Sequence, residues 1–241
     1  MNVPLVGRLE ARIRNYRIKK KEWNNPRLSE EVIKNYSDDS LSGYGDKEYT
    51  KGGMDLQHQQ RGLILPLLEQ HIKKQETVIE IGTGNGDVVA YLADKYPDTK
   101  FIGIDFSVKN AMEKHQKKNL SFISGYALDL LAKRVRGDLI FASSTFCNFT
   151  PRELENYLVA IRRAGVHSVI LNEPTWGGHI QKNNGSSSSI HLDGAVWHHN
   201  YCGYLCKADF SIADFSFFHY KHPVSLRPDI FICLVRGEVS R

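Results

Sequence analysis

Between residues 77 and 172 the chain repeats one rhythm: a short apolar run, a turn, then a longer stretch with apolar residues at helical spacing. The runs at 77–81, 100–105, 120–124, 138–143 and 168–172 predict strands, and 87–96, 108–118 and 151–164 predict helices. Strands alternating with helices over short links predict a parallel sheet covered on both faces. Two further strand-like runs, 210–220 and 229–236, have no helix between them and predict an antiparallel pair that closes the sheet. The expected fold is therefore α/β: a seven-stranded, mostly parallel sheet with an antiparallel last strand and helices on both faces.

Ahead of that rhythm the pattern is helical and basic. Leu5, Leu9, Ile13 and Tyr16 fall at helical spacing, with Arg8, Arg12, Arg14, Lys19, Lys20 and Lys21 mostly elsewhere. Pro26 breaks this run, and Ser29 followed by two glutamates reads as a new helix start. Residues 37–53 are polar and glycine-rich, a predicted loop, and 56–72 predicts a helix that Pro66 either kinks or divides. Residues 1–72 are thus read as an N-terminal helical cap on an α/β domain at 73–241. Residues 176–200, rich in Gly, Ser, Asn and His, form a second long loop of the kind that carries function.

Composition narrows the partners. The 241 residues fit one large domain, and the net charge of +5, from 32 basic and 27 acidic residues, is a mild excess. It admits an anionic acceptor, while the lack of a dense basic-aromatic face weighs against nucleic acid. Cys147, Cys202, Cys206 and Cys233 lack the spacing of a disulfide framework and read as reduced thiols, which points to the cytoplasm. No apolar run reaches the roughly 18 residues of a membrane span. A homodimer is left open.

The chemistry concentrates in Val78-Ile79-Glu80-Ile81-Gly82-Thr83-Gly84-Asn85-Gly86-Asp87. A strand enters, glycines take the turn, and a helix leaves. Asp105 ends the next strand, 23 positions after Gly82, where a carboxylate can accept from both hydroxyls of a ribose. A dinucleotide turn would place its third small residue at position 87; the Asp87 found there would repel a diphosphate.

The pattern Glu80-x-Gly82-x-Gly84-x-Gly86 resembles the first motif of the class I (Rossmann-like) S-adenosylmethionine-dependent methyltransferases, and the likeness extends over about residues 77–236. The resemblance implies S-adenosylmethionine as cofactor. It implies that Gly82, Thr83, Gly84 and Gly86 line the methionine and ribose portions, that Glu80 supports the loop or the ammonium, that Asp105 holds the ribose, and that Phe106 packs on adenine. Tyr126 and Ala127 stand in the adenine-contacting segment, with Tyr126 where many relatives have an acid. Ser143 and Ser144, ending the fourth strand, are placed beside the methionine moiety. The Asn-Pro-Pro-Tyr-like run of enzymes acting on exocyclic amines is absent there.

The acceptor side is read from the fifth strand onward. Glu173, with Trp176 beyond it, is a candidate wall of the acceptor pocket, and Glu173 a candidate to hydrogen-bond or orient a base. His199, with His198 behind it, is the candidate general base for an alcohol acceptor, because imidazole titrates near neutrality. Tyr49, Gln57 and Arg61 of the cap are candidate contacts to cofactor or acceptor. His191-x-Asp193 with His198 or His199 offers metal-ligand chemistry, but Ala142 and Ser143 stand where the first of the acids that usually hold a cation in such enzymes is expected, so no metal is expected. The reaction expected is O-methylation of a small, anionic or phosphorylated metabolite; methylation of nucleic acid or protein, and a non-catalytic partner subunit, are the alternatives.

Overall fold

The structure, a computed structural model, describes residues 51–72, 77–133, 135–176, 187, 189–191, 197–219 and 230–239, with the side chains of the first helix described from Gly62 onward. In chain order the elements are α1 (Lys51–Ile72), β1 (Thr77–Ile81), α2 (Asp87–Lys95), β2 (Lys100–Asp105), α3 (Lys109–Lys114), β3 (Leu120–Ser124), α4 (Ala127–Ala132) and β4 (Leu139–Ser143). A 3-10 turn (Phe146–Asn148), α5 (Pro151–Arg163), β5 (Ser168–Trp176), β6 (Ser189–His191), β7 (Trp197–His199), α6 (Tyr201–Lys207), β8 (Ser211–His219) and β9 (Ile230–Glu238) follow.

Seven strands form one sheet in the order β3-β2-β1-β4-β5-β9-β8. The first five are mutually parallel, and β9 runs antiparallel between β5 and β8. The order reverses between β1 and β4, so the connections leaving these strands diverge and open a crevice beyond their carboxyl ends. Alternation along each strand serves two cores. Ile79, Ile81, Ile140 and Leu171 face α4, α5 and α6, while Val78, Phe141, Ile170 and Leu234 face α1 and α2. Ile64, Leu68 and Ile72 of α1 are fully buried in the second core, so this stretch of the expected cap is part of the sheet's own packing.

Helix α5 shows how locally some of this is written. Thr150 accepts from the Glu153 N–H at 3.1 Å, and Glu153 accepts from the Thr150 N–H at 2.8 Å, with Pro151 in the first turn. This reciprocal cap satisfies two donors that the helix start would otherwise leave orphaned.

Several elements depart from the sequence pattern. α1 is one helix from Lys51, containing Pro66 undivided and taking the last residues of the expected 37–53 loop. α3 is shorter than expected and β5 runs on to Trp176, because its far end pairs along β9 as far as Ile230. The expected 176–200 loop contains the small β6–β7 hairpin. α6 presents Cys202 buried and Cys206 exposed. Among the described residues no helix is long and apolar enough to cross a membrane.

Candidate active site

The turn after β1 and the turn after β4 flank the crevice at the switch point; the expected Gly82, Thr83, Gly84 and Gly86 lie on the first of them, and Ser143 and Ser144 at the second. The N–H groups of Gly82 and Thr83 both point back to Ile104 O, at 2.8 and 3.1 Å, tying the turn to β2. Gly82 has φ 75° and Gly84 φ 52°, a region that side chains with a Cβ enter at a cost. Their surroundings differ. A methyl group on Gly82 would collide with the Thr145 side chain, whereas one on Gly84 would meet no atom within 4 Å. Gly82 is closed against the β4 side of the crevice, and Gly84 is exposed and open.

Asp105 completes this half. Its carboxylate accepts from Gly84 N–H at 2.8 Å and from Phe106 N–H at 2.7 Å, and the Ser107 N–H is a third backbone donor to it. The two oxygens together offer about four lone-pair sites, so the carboxylate has capacity for a donor beyond these N–H groups. Burial raises the Asp105 carboxyl above its ordinary range, opposed by the N–H groups of Gly84, Phe106 and Ser107. Glu80 is buried and accepts from the Thr83 hydroxyl at 2.7 Å, which braces the turn from beneath. Asp87, the acid argued to exclude a diphosphate, is engaged by Lys114 at 2.7 Å and His115 at 3.1 Å. Its charge therefore also fastens α2 to the end of α3.

Phe106 lies half-buried beside this carboxylate, its ring 5.8 Å from that of Tyr126 and inclined by 25°. Tyr126 does not open onto the crevice: it is buried, edge-on to Tyr157, with its hydroxyl 3.3 Å from Glu153. Where relatives are expected to carry an acid, this chain spends the residue on joining β3 to the cap of α5. Ala127, which starts α4, is buried as well.

The second turn is built differently. The Ser143 hydroxyl accepts from Asn172 at 3.0 Å, and Ser144, at φ 51°, donates its N–H to Asn172 O at 3.1 Å. Glu173 then accepts from three successive backbone N–H groups, Thr145 at 2.9 Å, Phe146 at 3.0 Å and Cys147 at 3.1 Å. Its side chain has no solvent exposure, and that burial pushes its carboxyl up to about 7 despite the N–H groups and the Cys147 thiol that favour the ionised form. Thr145 was not singled out by sequence reasoning. No local signal marks it, because its place over Gly82 depends on how β1, β4 and β5 align.

The histidines face inward. His199 is fully buried, with Nε2 3.0 Å from Phe149 O and Nδ1 2.7 Å from the Ser189 hydroxyl, which also meets the Tyr204 hydroxyl at 2.7 Å. A carbonyl only accepts, so Nε2 carries the proton toward Phe149. Thr175 donates to His199 O at 2.9 Å and ties the hairpin to β5. His198 is also buried, and Trp176 is half-buried at the end of β5. Tyr49 and Asp193 lie outside the described residues; Gln57 and Arg61 lie on α1, where their side chains are not described. Among the described residues no three His, Cys, Asp or Glu side chains come together as a metal-ligand group.

Comparison with known proteins agrees with this geometry. Residues 78–165 match the family model of a methyltransferase domain. The chain is similar to the tRNA (guanine-N(7)-)-methyltransferases of Magnetococcus marinus, 31% identical over 81 residues covering 31% of this chain and 32% of that protein, and of Pediococcus pentosaceus, 34% over 85 residues covering 32% and 38%. The chain thus spans about a third of the length of the curated relatives it matches. In fold it resembles Burkholderia thailandensis 1,6-didemethyltoxoflavin-N1-methyltransferase, solved with that compound and S-adenosylhomocysteine, with a TM-score of 0.61, 14% identity, and coverage of 89% of this chain and 91% of that one. It also resembles the magnesium protoporphyrin IX methyltransferase of Synechocystis, solved with S-adenosylmethionine, with a TM-score of 0.58, 17% identity, and coverage of 87% and 94%. Residues 78–165 thus match a methyltransferase-domain family, and the α/β fold that carries them is similar to that of solved S-adenosylmethionine-dependent methyltransferases.

Proposed function

We propose that the chain transfers a methyl group from S-adenosylmethionine to an oxygen of a small acceptor that is already anionic when it binds. One observation carries the cofactor reading: the Asp105 carboxylate and the open Gly84 form a cradle at the switch point. When bound, S-adenosylmethionine supplies an electrophilic methyl carbon on a sulfonium sulfur. Asp105 would accept from the ribose hydroxyls and Phe106 would flank the adenine. Gly84 leaves room that any side chain would fill, and Ser143, Ser144 and Thr145 form the opposite wall.

The acceptor reading follows from what the described residues offer. Both nitrogens of His199 are engaged and the ring is buried, so this geometry lends no support to His199 as the base for a neutral alcohol. Glu173 is likewise occupied by backbone N–H groups. An oxygen ionised before it arrives, such as a carboxylate, needs no base, and placing it in line with the methyl carbon supplies the catalysis. The net charge of +5 suits such an acceptor. A second reading, methylation of RNA, is favoured by the names of the two curated relatives.

The full chain incubated with methyl-tritiated S-adenosylmethionine and a fractionated cell extract separates these readings. Label in small acids, released as methanol by mild alkali, is the expected result. Alkali-stable label in RNA would move the assignment to the second reading, and failure to bind S-adenosylhomocysteine in calorimetry would remove both.

A further inference from the structure

The last paired positions of β4 and β5 are Ser143 and Asn172, so Glu173 stands one residue beyond, beside the point where the chain leaves β4. Three consecutive backbone N–H groups there converge on one carboxylate. Such N–H groups at the start of a helical turn have no partner within the turn and form an anion-binding concavity. Here the anion is the protein's own, and it is fully buried. The turn so held lays Thr145 into the space a side chain at Gly82 would need.

We infer that Glu173 is a positioning residue whose carboxylate holds the turn after β4, so that Thr145 closes the cofactor cleft against Gly82. The inference rests on the cofactor reading above and not on any acceptor. Among the described residues the hydrogen bonds of Glu173 go to Thr145, Phe146 and Cys147 and not to Gly82 or Gly84, so it acts through Thr145 and its neighbours.

The same geometry makes the clip responsive to protons. An ionised carboxylate accepts on both oxygens, whereas a protonated one turns one oxygen into a donor that opposes an N–H. Burial brings that change to about pH 7. The titratable groups packed around Glu173 are Cys147 of the turn, Cys233 of β9 and Tyr201 of α6, each held protonated well above its usual range by burial or by its neighbours' hydrogen bonds and charge. His199 of β7 stands edge-on to Tyr201, 5.5 Å between ring centres, with its nitrogens on Ser189 and Phe149.

The test is calorimetric titration of the 241-residue chain with S-adenosylhomocysteine at pH 6, 7 and 8, with circular dichroism to confirm folding. The wild type is expected to bind about tenfold more tightly at pH 8 than at pH 6. Glu173→Gln is expected to bind about tenfold more weakly than wild type at pH 8 and to lose most of the pH response. Thr145→Gly, which keeps the clip but removes the group it positions, is expected to weaken binding similarly. A folded Glu173→Gln variant with wild-type affinity and slope overturns the inference. If that variant does not fold, Thr145→Gly decides, and unchanged affinity and slope overturn it equally. A wild type that binds no S-adenosylhomocysteine at any pH refutes the cofactor reading instead, so the two failures are told apart.

Discussion

Replacing Glu173 by Gln has a consequence for stability that can be worked from the structure. The side chain is fully buried, and its carboxyl is raised from an ordinary 4.5 to about 7, chiefly by desolvation. In the unfolded chain the carboxyl releases its proton near the ordinary value; in the folded chain it holds it until about pH 7. Between those limits the folded state binds the extra proton, so the group's contribution to stability falls as pH rises and levels off above pH 7. At about 1.36 kcal/mol per pH unit, the full fall is about 3 kcal/mol. Gln cannot ionise, so the variant lacks this slope whatever its baseline stability. Urea unfolding of both proteins at pH 5, 6, 7 and 8 measures it. The free-energy difference between wild type and variant should shift against the wild type by most of that amount between pH 5 and 8. Parallel stability curves over this range would show that Glu173 is not a buried, near-neutral carboxyl, and the reasoning would be wrong.

Three further substitutions probe the site and its frame. Gly84→Ala places a methyl group in open space at φ 52°, so it should cost about 1 kcal/mol in backbone strain while lowering S-adenosylhomocysteine affinity at least tenfold; wild-type affinity in calorimetry would deny that Gly84 faces a ligand. Asp105→Asn keeps one acceptor oxygen for Gly84 or Phe106 but loses the charge, and should weaken the same ligand about tenfold or more with the melting temperature nearly unchanged; a large melting shift with normal affinity would make Asp105 a purely structural tie. Thr150→Ala removes the side-chain half of the α5 cap and should cost about 1–2 kcal/mol in urea unfolding, with no change in the pH dependence of binding.

The grouping of the candidate cofactor residues was legible in the sequence because it is local. Glu80, Gly82, Gly84, Gly86 and Asp105 all belong to one strand–helix–strand unit, and the bounds expected for β1, β2 and β3 agree with those observed. Short apolar runs closed by Gly, Pro or Asp leave little choice of register. The reciprocal cap at Thr150 and Glu153 was equally local, with its Thr-x-x-Glu spacing plain in the chain. What could not be read is what depends on alignment across the sheet. Thr145 reaches Gly82 because β4 lies beside β1, and Glu173 reaches residues 145–147 because β5 lies beside β4. Tyr126 turns inward because Glu153, 27 residues later, waits for its hydroxyl. The β6–β7 hairpin, with its His and Ser residues, shows no strong apolar alternation, and its place is set by Thr175, Phe149 and Tyr204 from three other elements.

Three ties, two distant and one local, meet on the connection from β4 to α5. Glu173 holds its start at residues 145–147, His199 holds Phe149, and the Thr150–Glu153 cap fixes the helix that follows. A turn of this length could be satisfied by water on its outer side without a buried carboxylate. Burying a charge whose proton is lost near pH 7 costs stability at physiological pH, as the unfolding experiment would read. A chain that only needed to be folded would be better served by a neutral residue there. The cost becomes intelligible when the turn has to hold one geometry, with Thr145 against Gly82, while a ligand enters and leaves beside it. On that argument His199 and Glu173, which look catalytic by residue type, serve the frame, and the groups proposed to meet the ligand are the plainer ones: an exposed glycine, a half-buried aspartate and a threonine.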